Sequence, residues 1–223
     1  MANQVVFLKT LAAASATNIA TSQAASAGTP LTLNGTAVSG GVATIDTFST
    51  TNNTATGRRV LITSTSGAET ASITITGTNS NNVVISEKIT FSGSSTTLQS
   101  NLDYVTVTSI VPSGTIAGSL SAGTNGVGSS PWLTWNYQVN PPMNLGFAVE
   151  VVSGSVNYTV QYTYDDPNNL LNGVTSPLAF NSALASASTT LDSTLSTPFV
   201  ATRVLINSGT GVIRCRFIQA GIG

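Results

Sequence analysis

The sequence contains no histidine, a single cysteine and few charges: 7% of its 223 residues are Asp, Glu, Lys or Arg. Each shortage closes off a kind of chemistry. Without histidine there is no Ser-His or Cys-His pair, no imidazole general base and little means of building a zinc site. One cysteine, Cys215, forms neither an internal disulfide nor a cysteine metal centre. It alternates with Arg214 and Arg216, which turns it inward beside Ile213 and Phe217 as a small apolar side chain. The formal net charge of −1 gives no basic footprint for nucleic acid. No apolar run approaches the ~20 residues with which a helix spans a bilayer.

What is present points to a folded β protein. Hydrophobic residues make up 41% of the chain, and β-branched and aliphatic residues recur throughout, which excludes disorder. The exposed faces must then be made of Ser, Thr, Asn, Gln and Gly. A neighbouring subunit covers such groups at lower desolvation cost than charges, so this surface suits a component of an assembly.

Three regions follow from composition. Residues 1–29, rich in Ala, Ser and Thr, read as an N-terminal arm. Val6 to Ala16 holds good helix formers and predicts partial helix; the alternative is an extended arm that orders against a neighbour. No positive charge precedes the apolar stretch and Lys9 interrupts it, so the arm is expected to stay uncleaved on a protein made in the cytoplasm. Residues 30–126 read as a first β domain. Ala71 to Thr76 and Val83 to Phe91 suit an antiparallel hairpin, and a strand from Tyr104 to Val111 is expected to stop at Pro112. The Gly-rich passage from Gly114 to Gly128 predicts no strong strand, and Gly123 to Gly128 reads as linker: no Lys-Ser/Thr follows to make a phosphate loop. Residues 127–223 read as a second β domain. Leu145, Phe147, Val149 and Val151 share one strand face, and Val156, Tyr158, Val160, Tyr162 and Tyr164 alternate after a turn at Ser153-Gly154. A terminal hairpin is predicted around Ser208-Gly209-Thr210. The fold class is all-β: two antiparallel sandwich or jelly-roll-like domains behind an arm.

No catalytic residue is assigned, and no cofactor is called for. The one adjacent acidic pair, Asp165-Asp166, precedes Pro167 in a predicted turn, and neighbouring strand residues face opposite ways, which argues against a carboxylate pair. Asp165, Asp166 and Asn168 are a Ca²⁺ candidate secondary to that turn. Arg58 and Arg59 are candidates for pairing with a partner's carboxylates. Trp132 and Trp135, with Tyr137 nearby, are candidates for gripping a protein or sugar, set against a core role.

Several stretches together resemble virion proteins of tailed bacteriophages. They are Ile19-Ala20-Thr21-Ser22-Gln23 with Leu31-Thr32-Leu33-Asn34-Gly35, and Ile73-Thr74-Ile75-Thr76-Gly77-Thr78-Asn79 leading to Ile85-Ser86-Glu87. Val105 to Ile110, Gly123 to Gly126 with Ser130-Pro131-Trp132, Val156 to Pro167 and Phe217 to Gly221 fit the same group. The resemblance covers most of the chain except residues 170–197. It implies a head decoration (cement) protein, non-enzymatic, sitting on the outer capsid surface. Its implied partners are the major capsid protein and further copies of itself, with no direct nucleic acid and no membrane. A tail or head-to-tail component is the alternative within the virion, and a carbohydrate-binding or adhesive β-sandwich the alternative outside it.

Overall fold

The computed structural model describes residues 3–10, 13–45, 57–136, 144–167, 178–179 and 182–220. The strands run in chain order as β1 (Asn3–Thr10), β2 (Ser15–Ala24), β3 (Val38–Ser39), β4 (Val42–Thr44), β5 (Gly57–Ser64) and β6 (Ser72–Thr78). They continue as β7 (Val84–Thr90), β8 (Thr97–Gln99), β9 (Thr106–Ser113), β10 (Ser119–Ser129), β11 (Leu133–Thr134) and β12 (Asn144–Ser153). The last are β13 (Val156–Thr163), β14 (Leu178–Ala179), β15 (Leu191–Leu195), β16 (Ala201–Gly209) and β17 (Val212–Ala220). The protein is all-β with antiparallel sheets, and among the described residues the only helical turn is a short 3-10 turn at Ser182–Leu184. No helix among them is long and apolar enough to cross a membrane. Two compact units divide after Gly128: one holds β1 and the residues from Ser129 onward, the other holds β2 through β10.

In the C-terminal unit, β1, β17, β12 and β15 form one sheet in that order, and β14, β13 and β16 run side by side with β11 on β16. The expected alternation is present. Leu145, Phe147 and Val149 of β12 meet Val156, Tyr158 and Val160 of β13, with Ile213, Cys215 and Phe217 of β17, in one buried core. Burial pushes the Cys215 thiol well above its ordinary range.

The terminal hairpin is not formed, and the reason is a shared corner. β16 pairs with β13, whereas β17 pairs with β12 and β1. Likewise β12 and β13, joined at Ser153-Gly154, lie in different sheets. The two connections pack together: the amides of Thr210 and Gly211 donate to the Ser155 carbonyl at 3.0 and 2.9 Å. Gly154 has φ +72°, and a Cβ there would stand 2.8 Å from the Gly211 Cα. A glycine turn therefore serves a corner between sheets as well as it serves a hairpin, and local turn chemistry does not tell them apart.

The N-terminal segment is neither helix nor free arm. β1 pairs along its length with β17, from Asn3↔Gln219 to Thr10↔Val212. β2 pairs with β10, where Ile19 and Ala20 are fully buried. Pairing at a sheet edge outweighs the modest helix propensity of this run.

In the other unit, β3, β4, β9, β6 and β7 form a five-stranded sheet, while β10 neighbours β5, which pairs with β8. Ile73, Ile75, Val107, Ile110 and Ile89 of the first face Val60, Ile62, Leu120 and Ala122 of the second in one core. The β6–β7 hairpin forms as expected, from Ser72↔Thr90 to Thr78↔Val84. Asn79 closes its loop, with Oδ1 accepting from the amides of Asn81 and Val83 at 2.9 and 3.0 Å.

Two expectations fail here for identifiable reasons. β9 runs through Pro112 to Ser113. Ile110 and Pro112 turn their carbonyls to the amides of Leu31 and Gly28, both at 2.8 Å, so the proline's missing N–H falls on that side and leaves the β6 ladder intact. The Gly-rich passage is the long strand β10, not a linker. A Cβ on Gly123 would lie 1.9 Å from the Ser15 carbonyl oxygen, and one on Gly128 2.6 Å from that of Gly57. Glycine here lets backbones approach where side chains would otherwise stand.

One carboxylate holds a loop of this unit. Glu69 is 1% exposed, and its Oε1 accepts from the Ser64 hydroxyl at 2.9 Å and the amides of Ala117 and Gly118 at 3.0 and 2.8 Å. Burial raises its pKa, but those hydrogen bonds together outweigh that and hold it below the usual value. All seven Lys and Arg residues lie in strands: Lys9 in β1, Arg58 and Arg59 in β5, Lys88 in β7, Arg203 in β16, and Arg214 and Arg216 in β17.

Two measurements check this account. Since Glu69 is depressed in the folded state, its contribution is full above the unfolded carboxylate range and is lost as pH falls through the lower folded value. Hydrogen exchange at Ala117 and Gly118, taken relative to the intrinsic rate at each pH, should therefore be less protected at acid pH in the parent protein. In Glu69→Ala it should be fast already at neutral pH, with a stability loss of about 1–3 kcal/mol per orphaned amide. Gly123→Ala should destabilise the same unit by roughly 1–3 kcal/mol, read as faster exchange along β2 and β10.

Candidate functional site

The sequence-derived candidates are mostly spent on the fold itself. Arg58 is 6% exposed, and its Nη2 donates to the Asn125 carbonyl at 2.7 Å, bracing β10 from within. Arg59 lies 3.6 Å from the Asp103 carboxylate. Glu87 joins them: burial raises its pKa, opposed by the amides of Leu102 and Asn101 and by the Arg59 charge. Trp135 is 5% exposed, donates from Nε1 to Thr202 Oγ1 at 2.8 Å, and packs 6.0 Å from the Phe217 ring. Trp132 is half-buried, with the Arg203 guanidinium 4.6 Å from its ring centroid. Arg203 is itself held by Gln161 Oε1 at 2.8 Å. The two tryptophans therefore do not make a shared aromatic platform, because one is core and the other is capped by a cation.

Asp165 and Asp166 sit just beyond β13, where the Asp165 amide donates to Thr163 Oγ1 at 3.0 Å in the local turn the sequence implies. Asn168, the third Ca²⁺ candidate, and Tyr137 lie outside the described residues. Among the described residues no three His, Cys, Asp or Glu side chains converge as metal ligands would.

A face that sequence reasoning did not single out is the outer side of the five-stranded sheet. Alternation in β6 sends Ile73 and Ile75 into the core and leaves Ser72, Thr74, Thr76 and Thr78 outside. On β7 the exposed positions are Val84, Ser86, Lys88 and Thr90, and on β9 they include Thr108 and Ser113. The register stacks these residues in rows. Thr44, Thr106, Thr78 and Val84 lie across four strands. The rows at Thr76 and Ser86, at Thr74 and Lys88, and at Ser72 and Thr90 follow.

The hydroxyls bond one another across the strands. Ser72 and Thr90 are 2.8 Å apart, Thr76 and Ser86 3.1 Å, and Thr78 and Thr106 2.6 Å. Thr108 and Ser113 donate to the carbonyls of Thr76 and Ser72 at 3.2 and 3.3 Å. Each such pair adds a few tenths to about 1 kcal/mol to the sheet. The pairing also partly satisfies these groups before any partner arrives. Among the positions just named, Lys88 carries the one formal charge. The signal was available as period-two Ser/Thr in β6; the rows across strands were not, because register is set by tertiary pairing.

The fold and this face define an all-β protein of antiparallel sheets in two units, one of which presents a hydroxyl-lined, weakly charged surface. No protein-family model matches the chain, and no curated protein matches it.

The two tryptophans separate in a denaturant titration followed by their fluorescence. Trp135→Ala is expected to cost about 3–5 kcal/mol, as for a large core side chain. Trp132→Ala, at a half-buried position where the ring meets the Arg203 guanidinium, is expected to cost less, about 1–2 kcal/mol.

Proposed function

We propose that this chain is a non-enzymatic virion structural protein that binds the outside of a phage capsid lattice and reinforces contacts between major capsid subunits. On this reading its partners are the major capsid protein and other copies of itself. It is made in the host cytoplasm and resides on the virion, without contacting nucleic acid or membrane. Each unit is taken as a β-sandwich of jelly-roll kind.

The observation that carries the reading is the hydroxyl face on β6, β7 and β9. Its Ser and Thr side chains already bond each other, so covering them with a protein surface costs less than covering charges. A lattice protein repeated in many copies needs only modest affinity at each contact, because neighbouring contacts add. The resemblance of residues 73–79, 105–110 and 156–167 to tailed-phage virion proteins points the same way.

Electron microscopy of the native particle tests the placement: density for this chain is expected over the head lattice, and a ring at the tail or portal would overturn the head assignment. A charge placed on the face tests the contact. Thr76→Asp should leave the protein folded, at a cost of about 1–2 kcal/mol for the lost Ser86 pair and the lower strand propensity of Asp. It should weaken binding to capsids lacking the protein at least about tenfold, or 1.4 kcal/mol. Undiminished binding by Thr76→Asp would remove this face from the interface.

A further inference from the structure

β1 is joined at its C-terminal end to a strand of the other unit. It is the outer strand of the β1-β17-β12-β15 sheet, and its ladder partner is β17. Past Thr10 the chain leaves that unit: the next strand, β2, begins at Ser15 and pairs with β10 in the other. The strand that completes the edge of β17 is thus tethered, through residues 11–14, to a unit other than the one it completes.

β17 needs that edge covered. Ile213, Cys215 and Phe217 are at most 1% exposed, and a bare β17 would set a row of unpaired N–H and C=O groups beside this core. The complement it takes is specific: eight successive residues, Asn3 to Thr10, in continuous register and without proline or glycine to interrupt them.

We propose that β1 is exchanged between copies, so that residues 3–10 of one chain pair with β17 of a second chain, and reciprocally. The same eight pairs form within a chain or between chains. What changes is the path of the short link and the concentration of the incoming strand. Copies so joined are held by a backbone ladder instead of side-chain contact alone. This gives a protein with few surface charges a specific means of recognising itself.

The test uses the full chain with introduced cysteines at Cα partners of the register, Gln4 and Ile218. Native Cys215 is fully buried, so a short bis-maleimide meets only the added thiols. Gln4→Cys and Ile218→Cys chains are prepared separately, refolded together and cross-linked. The expected product is a dimer joining one chain of each kind through residues 4 and 218, its share rising roughly tenfold per tenfold rise in concentration while exchange is sparse.

The double variant Gln4→Cys/Ile218→Cys reports whether the pair can be bridged at all. Bridging confined to single chains in the double variant, with no mixed dimer from the single variants at any concentration, would overturn exchange. Failure of the double variant to bridge would remove β1 from β17 and overturn it too. Equal yield from Gln4→Cys mixed with Val212→Cys, at the far end of the register, would reduce the mixed dimer to random collision. These outcomes are read on free protein, so they stand or fall separately from capsid binding.

Discussion

The structure rests on the period of two along its strands. With so few charges, neither unit can keep its outer surface wet by scattering Lys and Glu over it. A strand with one solvent face must instead divide its residues, aliphatic to one side and hydroxyl to the other, while hydroxyls that other strands bury, Thr124 and Thr202 among them, take hydrogen bonds from Asn18 and Trp135. β6 makes this division without exception, with Ile73 and Ile75 inward against Ser72, Thr74, Thr76 and Thr78 outward. A slip of one residue would bury a row of hydroxyls and expose a row of isoleucines, so the pattern fixes register as well as stability. The cross-strand hydroxyl pairs follow from that register. So does the face proposed to meet the capsid.

Where a strand follows this rule, the sequence makes it legible. The β6–β7 hairpin and the buried faces of β12 and β13 could be read from alternation and a polar turn. β10 could not, because its glycines suppress the signal: Gly123 and Gly128 are small for the sake of Ser15 and Gly57, which are distant in sequence. The corners at Gly154 and Gly209 were illegible for a different reason. A tight glycine turn is equally good between strands of one sheet and strands of two, and the choice is made by which partners the strands find. β1 shows the same limit, since only β17 can decide that a run with fair helix propensity becomes a strand.

The candidate site was less legible than the fold. Arginine and tryptophan attract attention as partner-binding residues, yet in a chain this poor in charge and aromatics the fold uses them itself. Arg58 braces a backbone carbonyl and Trp135 fills the C-terminal core. Surface chemistry falls to the common residues, whose meaning lies in their rows across strands. Such rows are invisible until the pairing is known.

The placement of the basic residues has a further consequence. Trypsin-like proteases cut after Lys or Arg, and they need several residues of local backbone free of a sheet, which loops supply and strands do not. All seven such residues here are locked in strands, and every connecting loop is without one. The native chain thus offers these proteases no loop to nick. Digestion has to wait for a strand to open, so lifetime among such enzymes follows strand opening and is independent of how mobile the loops are.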